Sequence, residues 1–140
     1  MKHLKRFNEG LSMGEIDDFK KEIMELFQDV IDEFDIEELP YYLDDMDEML
    51  GIFYNINDFP LTRLKNKPYI EIEIYVGDKF IDKFKSMKSS IIEFCDHLKS
   101  IGYKVDTNGD IKDYISSLYA NNGGESYCST IAFEIHIYYK

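Results

Sequence analysis

Between Pro68 and Gly77 the chain reads Tyr-Ile-Glu-Ile-Glu-Ile-Tyr-Val, and this stretch restricts the possible folds more than any other. In an extended backbone Ile70, Ile72, Ile74 and Val76 point one way, while Tyr69, Glu71, Glu73 and Tyr75 point the other. Such alternation defines a strand with one buried face and one wet face. Residues 129–139 carry the same pattern, with Ile131, Phe133, Ile135, Ile137 and Tyr139 expected inward and Thr130, Ala132, Glu134, His136 and Tyr138 outward. Ile52, Tyr54 and Ile56 alternate with Phe53, Asn55 and Asn57, which predicts a further strand.

One-sided strands need an apolar layer over the covered face, and helical periodicity supplies it. Ile16, Phe19, Ile23, Leu26, Phe27, Val30 and Phe34 recur at spacings of three and four, behind Ser12 and Glu15 as a capping box. Phe84, Met87, Ile91, Phe94, Cys95, Leu98 and Ile101 predict a second long helix, with Gly102 just beyond its end. Residues 41–50 and 111–120 predict two shorter helices, the latter capped by Asp110, and Tyr103–Val105 a short strand. Asn108-Gly109 predicts a turn, with a hairpin as the alternative. The expected class is α+β: a two-layer sandwich with helices packed on one face of a mostly antiparallel sheet. The segments 23–26, 34–36 and 71–75 line up with 91–94, 103–105 and 134–138, so an αβ internal duplication is a further expectation. Residues 1–11 read as a basic lead-in and 12–140 as a single acidic domain.

The net charge is −12, from 16 basic and 28 acidic residues. Residues 1–60 hold 5 basic and 17 acidic side chains, so the whole excess lies there. This balance argues against direct nucleic-acid binding, which needs clustered Lys and Arg. No uncharged run is long enough to span a bilayer, so no membrane association is expected. Cys95 and Cys128 form no C-x-x-C pair and stand at no zinc-ligand spacing from a histidine; a disulfide between them stays open. Cys95 and His97, two apart on a helix, face different ways and cannot form a catalytic pair. The low cysteine content and acidity suit a reducing cytoplasm.

Familiar chemical motifs are missing. Asp106 to Asp110 lacks the Gly and Glu positions of a calcium loop, and no phosphate loop, nucleophile elbow or H-E-x-x-H occurs. Two surfaces remain. The first is acidic: Tyr41, Tyr42, Asp44, Asp45, Asp47 and Glu48, with Asp29, Asp32 and Glu33, are the expected partner-binding residues for a protein with a basic surface. The second is the wet sheet face, where Glu71, Glu73, Glu134 and His136 could hold a divalent metal if their strands are neighbours. On that face Tyr69, Tyr75 and Tyr138 are candidate protein-contact anchors, and exposed tyrosines there make a homodimer conceivable.

Residues 1–10 (MKHLKRFNEG) resemble the opening of small proteins of large tailed bacteriophages. Some of those openings are capsid-targeting peptides, cut by the prohead protease after a hydrophobic-x-Glu triplet. Phe7-Asn8-Glu9, followed by Gly10, is similar to that triplet, with Phe where Leu or Ile is usual. The resemblance implies a phage accessory protein, in the host cytoplasm or packaged in the virion. The expected function is therefore non-enzymatic protein binding through the acidic N-terminal surface, with no catalytic residue, cofactor or metal. The alternatives are a DNA-mimicking inhibitor of a host nucleic-acid or defence enzyme, a structural virion protein, and a metal-dependent enzyme using the outer sheet face.

Overall fold

The computed structural model describes residues 13–39, 51–59, 68–121 and 132–139. Along the chain come α1 (Met13–Phe34), β1 (Glu37–Glu38), β2 (Ile52–Phe59), β3 (Tyr69–Val76), α2 (Ile81–Ser100), β4 (Lys104–Thr107), α3 (Ile111–Asn121) and β5 (Phe133–Tyr138). A single 3-10 turn, Asp78–Phe80, leads from β3 into α2. The five strands form one sheet in the order β1-β2-β3-β5-β4. Every pairing is antiparallel except β1 with β2. The α+β class expected from the sequence is the one observed. The predicted helix at 41–50, Ser12, and the start of the last strand at 129–131 lie outside the described residues.

The central pairing joins the two alternating segments. Ile72 stands opposite Ile135, and Ile70 opposite Ile137. All four are completely buried, with Ile74, Val76 and Phe133 extending the same apolar face. The three helices cover that face. Ile16, Phe19, Ile23, Phe27 and Val30 come from α1, and Phe84, Met87, Ile91, Phe94 and Leu98 from α2. Phe27 packs against both Phe94 of α2 and Tyr54 of β2, so one ring ties two helices to the sheet. Tyr114 of α3 meets Phe84 and Phe133 in the same way.

Helix ends follow the local chemistry. The Asp110 carboxylate accepts from the Lys112 amide at 2.7 Å and caps α3, as the sequence predicts. At the end of α2 the Tyr103 amide donates to the Leu98 carbonyl and the Gly102 amide to that of Lys99, with Gly102 at φ 107°. This is a Schellman closure, and glycine takes the left-handed residue without strain. The end of α1 copies it less comfortably. The Ile36 amide donates to the Ile31 carbonyl, and the left-handed position is Asp35, at φ 52°. A carboxylate there also faces the negative end of the helix dipole, and the last turn of α1 holds no basic residue.

Several expectations need correction. Tyr138 points outward but is only 6% exposed, because Tyr69 packs on it and Lys104 lies over its ring. It cannot serve as a free contact anchor. Ala132 is buried too, while Ile101 is exposed and Ile31, absent from the periodic set, is buried. β4 starts one residue later than predicted and runs into α3, so Asn108-Gly109 turns a strand into a helix and closes no hairpin. The aligned segments of the two halves are arranged differently in the sheet: β4 lies directly beside β5, while β2 separates β1 from β3.

Two stability outcomes follow from this architecture. Ile72→Ala leaves a cavity at the most enclosed pair of the sheet and lowers unfolding free energy by about 2–5 kcal/mol, read from denaturant midpoints. Asp35→Gly relieves the left-handed position and removes the carboxylate at the helix end, raising stability by about 0.5–1 kcal/mol in the same measurement.

Candidate functional site

The outer face of the sheet is organised in cross-strand rows. One row reads Phe59, Tyr69, Tyr138 and Lys104; the next reads Asn57, Glu71, His136 and Asp106; a third holds Asn55, Glu73 and Glu134; Phe53 and Tyr75 follow. Aromatic rows thus flank two polar rows. Phe59 stacks on Tyr69 with ring centroids 4.7 Å apart, and Tyr69 also contacts the His136 ring.

Within the polar rows, His136 Nε2 lies 3.0 Å from Glu71 Oε1 and 3.1 Å from Glu134 Oε1. The ligand-type atoms of these three residues all sit within 4.8 Å of one another. Their side chains are 15%, 30% and 24% exposed for Glu71, Glu134 and His136, so the cluster is half-withdrawn from water. Glu73 is engaged differently. Its Oε1 accepts from the amides of Asn55 at 3.1 Å and Asn57 at 2.9 Å, and its Oε2 accepts from the Tyr75 hydroxyl. The set of four acidic and imidazole groups expected from alternation is therefore brought onto one face, but only three converge.

The electrostatics record this crowding. Burial, together with the Glu134 and Glu73 carboxylates, pushes the Glu71 carboxyl above its ordinary value, while His136 and the Asn57 amide act in the opposite direction. Burial and the neighbouring Glu73 push the Tyr75 hydroxyl up to about 12. His136 Nε2 carries at most one proton, so it cannot give a full hydrogen bond to both carboxylates at once.

The helical side of the molecule carries a second feature. An open groove of about 280 Å³ runs between α1 and α2, lined by Leu26, Asp29, Val30, Glu33, Ser90, Glu93, Phe94 and His97. Ser90 donates to Glu33 across it at 3.2 Å. Among the described residues, no Lys or Arg closes an ion pair with Asp29, Asp32 or Glu33, and all three are exposed. These are three of the expected partner-binding residues. Tyr41, Tyr42, Asp44, Asp45, Asp47 and Glu48 lie outside the described residues, as does the Phe7-Asn8-Glu9-Gly10 segment.

Sequence reasoning missed Glu93, Ser90 and the apolar floor of the groove, because only the packing of α1 on α2 places them beside Asp29 and Glu33. It also missed Asn55 and Asn57, although two asparagines at alternate positions of a strand's wet face were a usable signal. Cys95 is a free, buried thiol, which burial pushes up to about 11, so it is not a nucleophile at neutral pH. None of the described helices is long and apolar enough to cross a membrane.

The raised carboxyl of Glu71 has a defined sign. Folding favours its protonated form, so its contribution is fully present below the ordinary value of 4.5 and is lost as pH rises through the raised one. Glu71→Gln keeps that contribution at every pH. The variant melts higher than the parent at neutral pH, and the difference closes below pH 4.5 in a melting series. No protein-family model, curated protein or solved structure matches this chain, so the chemistry of these two surfaces is what bears on its role.

Proposed function

We propose that the protein works by binding another protein, through the acidic groove between α1 and α2, and that the partner presents a basic segment. The groove itself carries this reading: Leu26, Val30 and Phe94 offer an apolar floor, and Asp29, Glu33 and Glu93 stand around it. A lysine or arginine has the matching form, an aliphatic stem ending in a charge. Its stem lies on the apolar floor while its cation meets the carboxylates.

The placement of charge supports a role beyond solubility. Asp32, Glu33 and Asp35 crowd the C-terminal end of α1, where a helix gains stability from cations and loses it from anions. Stability alone does not favour that arrangement; recognition of a positive partner does. In the setting implied by the opening ten residues, the protein is a phage accessory factor and its target a basic host or virion protein. Tyr41, Tyr42, Asp44, Asp45, Asp47 and Glu48, the other residues expected from the sequence to meet such a partner, lie outside the described residues.

The test is binding of a fluorescent arginine-rich peptide, followed by anisotropy. Asp29→Asn, Glu33→Gln and Glu93→Gln together weaken it by about tenfold or more, since three contacts of roughly 0.5–1 kcal/mol each are removed. Asp18→Asn, Glu37→Gln and Asp113→Asn remove the same charge from exposed positions outside the groove lining and weaken it far less. Equal losses from the two sets would reduce the binding to bulk charge and reject the groove.

A further inference from the structure

We infer that Glu71, Glu134 and His136 form a binding site for one divalent first-row transition-metal ion on the outer face of the sheet, opposite the groove. The inference is independent of the proposed protein binding.

Convergence is the first argument. Ligands held 2.0–2.2 Å from an ion stand roughly 3.0–3.5 Å from one another in octahedral or tetrahedral sites. His136 Nε2 meets that spacing toward both carboxylates, at 3.0 and 3.1 Å. Two adjacent strands deliver the three atoms, Glu71 from β3 and Glu134 and His136 from β5. Their relative position is fixed by a register that cannot slip without turning the isoleucine core outward.

Charge is the second argument. Even a protonated His136 supplies one positive charge to two polar rows that carry the carboxylates of Glu71, Glu73, Glu134 and Asp106. Glu73 is provided for by Asn55, Asn57 and Tyr75. Among the described residues Glu71 and Glu134 have no such set of donors: Asn57 assists Glu71, and the two carboxylates share the His136 Nε2. Among the described residues no Lys or Arg pairs with either, and Lys104 is held over the Tyr138 ring. A dication bound to neutral His136 cancels the charges of Glu71 and Glu134 and replaces one shared proton with bonds to all three atoms.

Ligand type sets the metal class. One imidazole and two carboxylates suit zinc, manganese or iron(II), whereas an all-oxygen set suits calcium and magnesium. Three protein ligands on a solvent-facing sheet leave the outward positions of the ion to water or to an anionic group of a ligand. Asn57 borders Glu71 and the Tyr69 ring borders His136, the places from which supporting groups orient metal ligands.

The experiment is calorimetric titration of the full chain with Zn2+, paired with melting temperatures and an imidazole-region NMR spectrum of His136. The site takes one Zn2+, raises the melting temperature and shifts the His136 ring signals, while Mg2+ does none of these. Glu71→Gln and His136→Ala each weaken binding by at least about tenfold, the lower end of what loss of a supporting partner costs at metal sites. Glu71→Gln is the decisive variant, because it removes the ligand charge at nearly constant side-chain volume, and its melting temperature without metal, read in the same series, separates loss of metal from loss of fold. Glu73→Gln keeps most of the affinity. Absence of heat and of any His136 shift overturns the site, and so does undiminished binding in Glu71→Gln or His136→Ala.

Discussion

Pairing of β3 with β5 is the constraint on which the rest of the molecule depends. It joins segments about sixty residues apart and sets Ile72 against Ile135 and Ile70 against Ile137 at the centre of the sheet. Because side chains alternate, the register that buries these isoleucines also fixes what faces outward. Glu71 is placed beside His136, and Glu73 beside Glu134, by the same hydrogen-bond ladder. A slip of one residue would expose the apolar ladder to water and bury the carboxylates, which is costly on both faces. The backbone positions of the outer polar cluster are thus fixed by the same register as the core.

The helices are tied to that ladder through aromatic rings. Phe27 touches Phe94 and Tyr54, and Phe84 touches Phe133 and Tyr114, so α1, α2 and α3 each reach the sheet or a neighbour through a ring contact. Packing α1 on α2 in this way also creates the groove. Its floor, Leu26, Val30 and Phe94, is the margin of the apolar interface between the two helices, and its walls are polar positions beside that margin. The groove is a geometric consequence of the core, but the identity of its wall residues is not. Nothing in packing requires Asp29, Glu33 and Glu93 there.

What the sequence discloses and what it hides divide along the range of the interaction. Local chemistry is readable: the alternation of 69–76, the apolar stripes of α1 and α2, the cap at Asp110 and the glycine after α2 all report interactions within a few residues. Strand order is not readable, because β3 and β5 are separated by two helices and a strand, and alternation says which face is wet without saying which strand is next. The parallel placement of β1 has the same origin. Tyr138 shows a different failure. Its parity is outward, as alternation requires, yet Tyr69 and Lys104 cover it, so face and exposure are separate properties on a sheet rich in large side chains. For the candidate sites, residue types were visible and convergence was not: Glu71, Glu134 and His136 became a cluster only through the β3–β5 register, and Glu73 left it only because Asn55 and Asn57 face it from β2.

The two surfaces differ in the physics that governs them. Carboxylates around the helical groove are exposed, so their attraction for a basic partner is long-ranged and falls with ionic strength, over a screening length of about 8 Å in physiological salt. The sheet cluster is half-buried and its atoms lie about 3 Å apart, well inside that length, so salt weakens its interactions much less. A partner that leaves the groove at high salt therefore need not carry a metal with it. The excess negative charge of the chain also favours dications at any site on its surface, and bulk attraction alone would draw magnesium as readily as zinc. A preference for an imidazole-seeking ion separates the cluster from that background, since general charge has no means of distinguishing them.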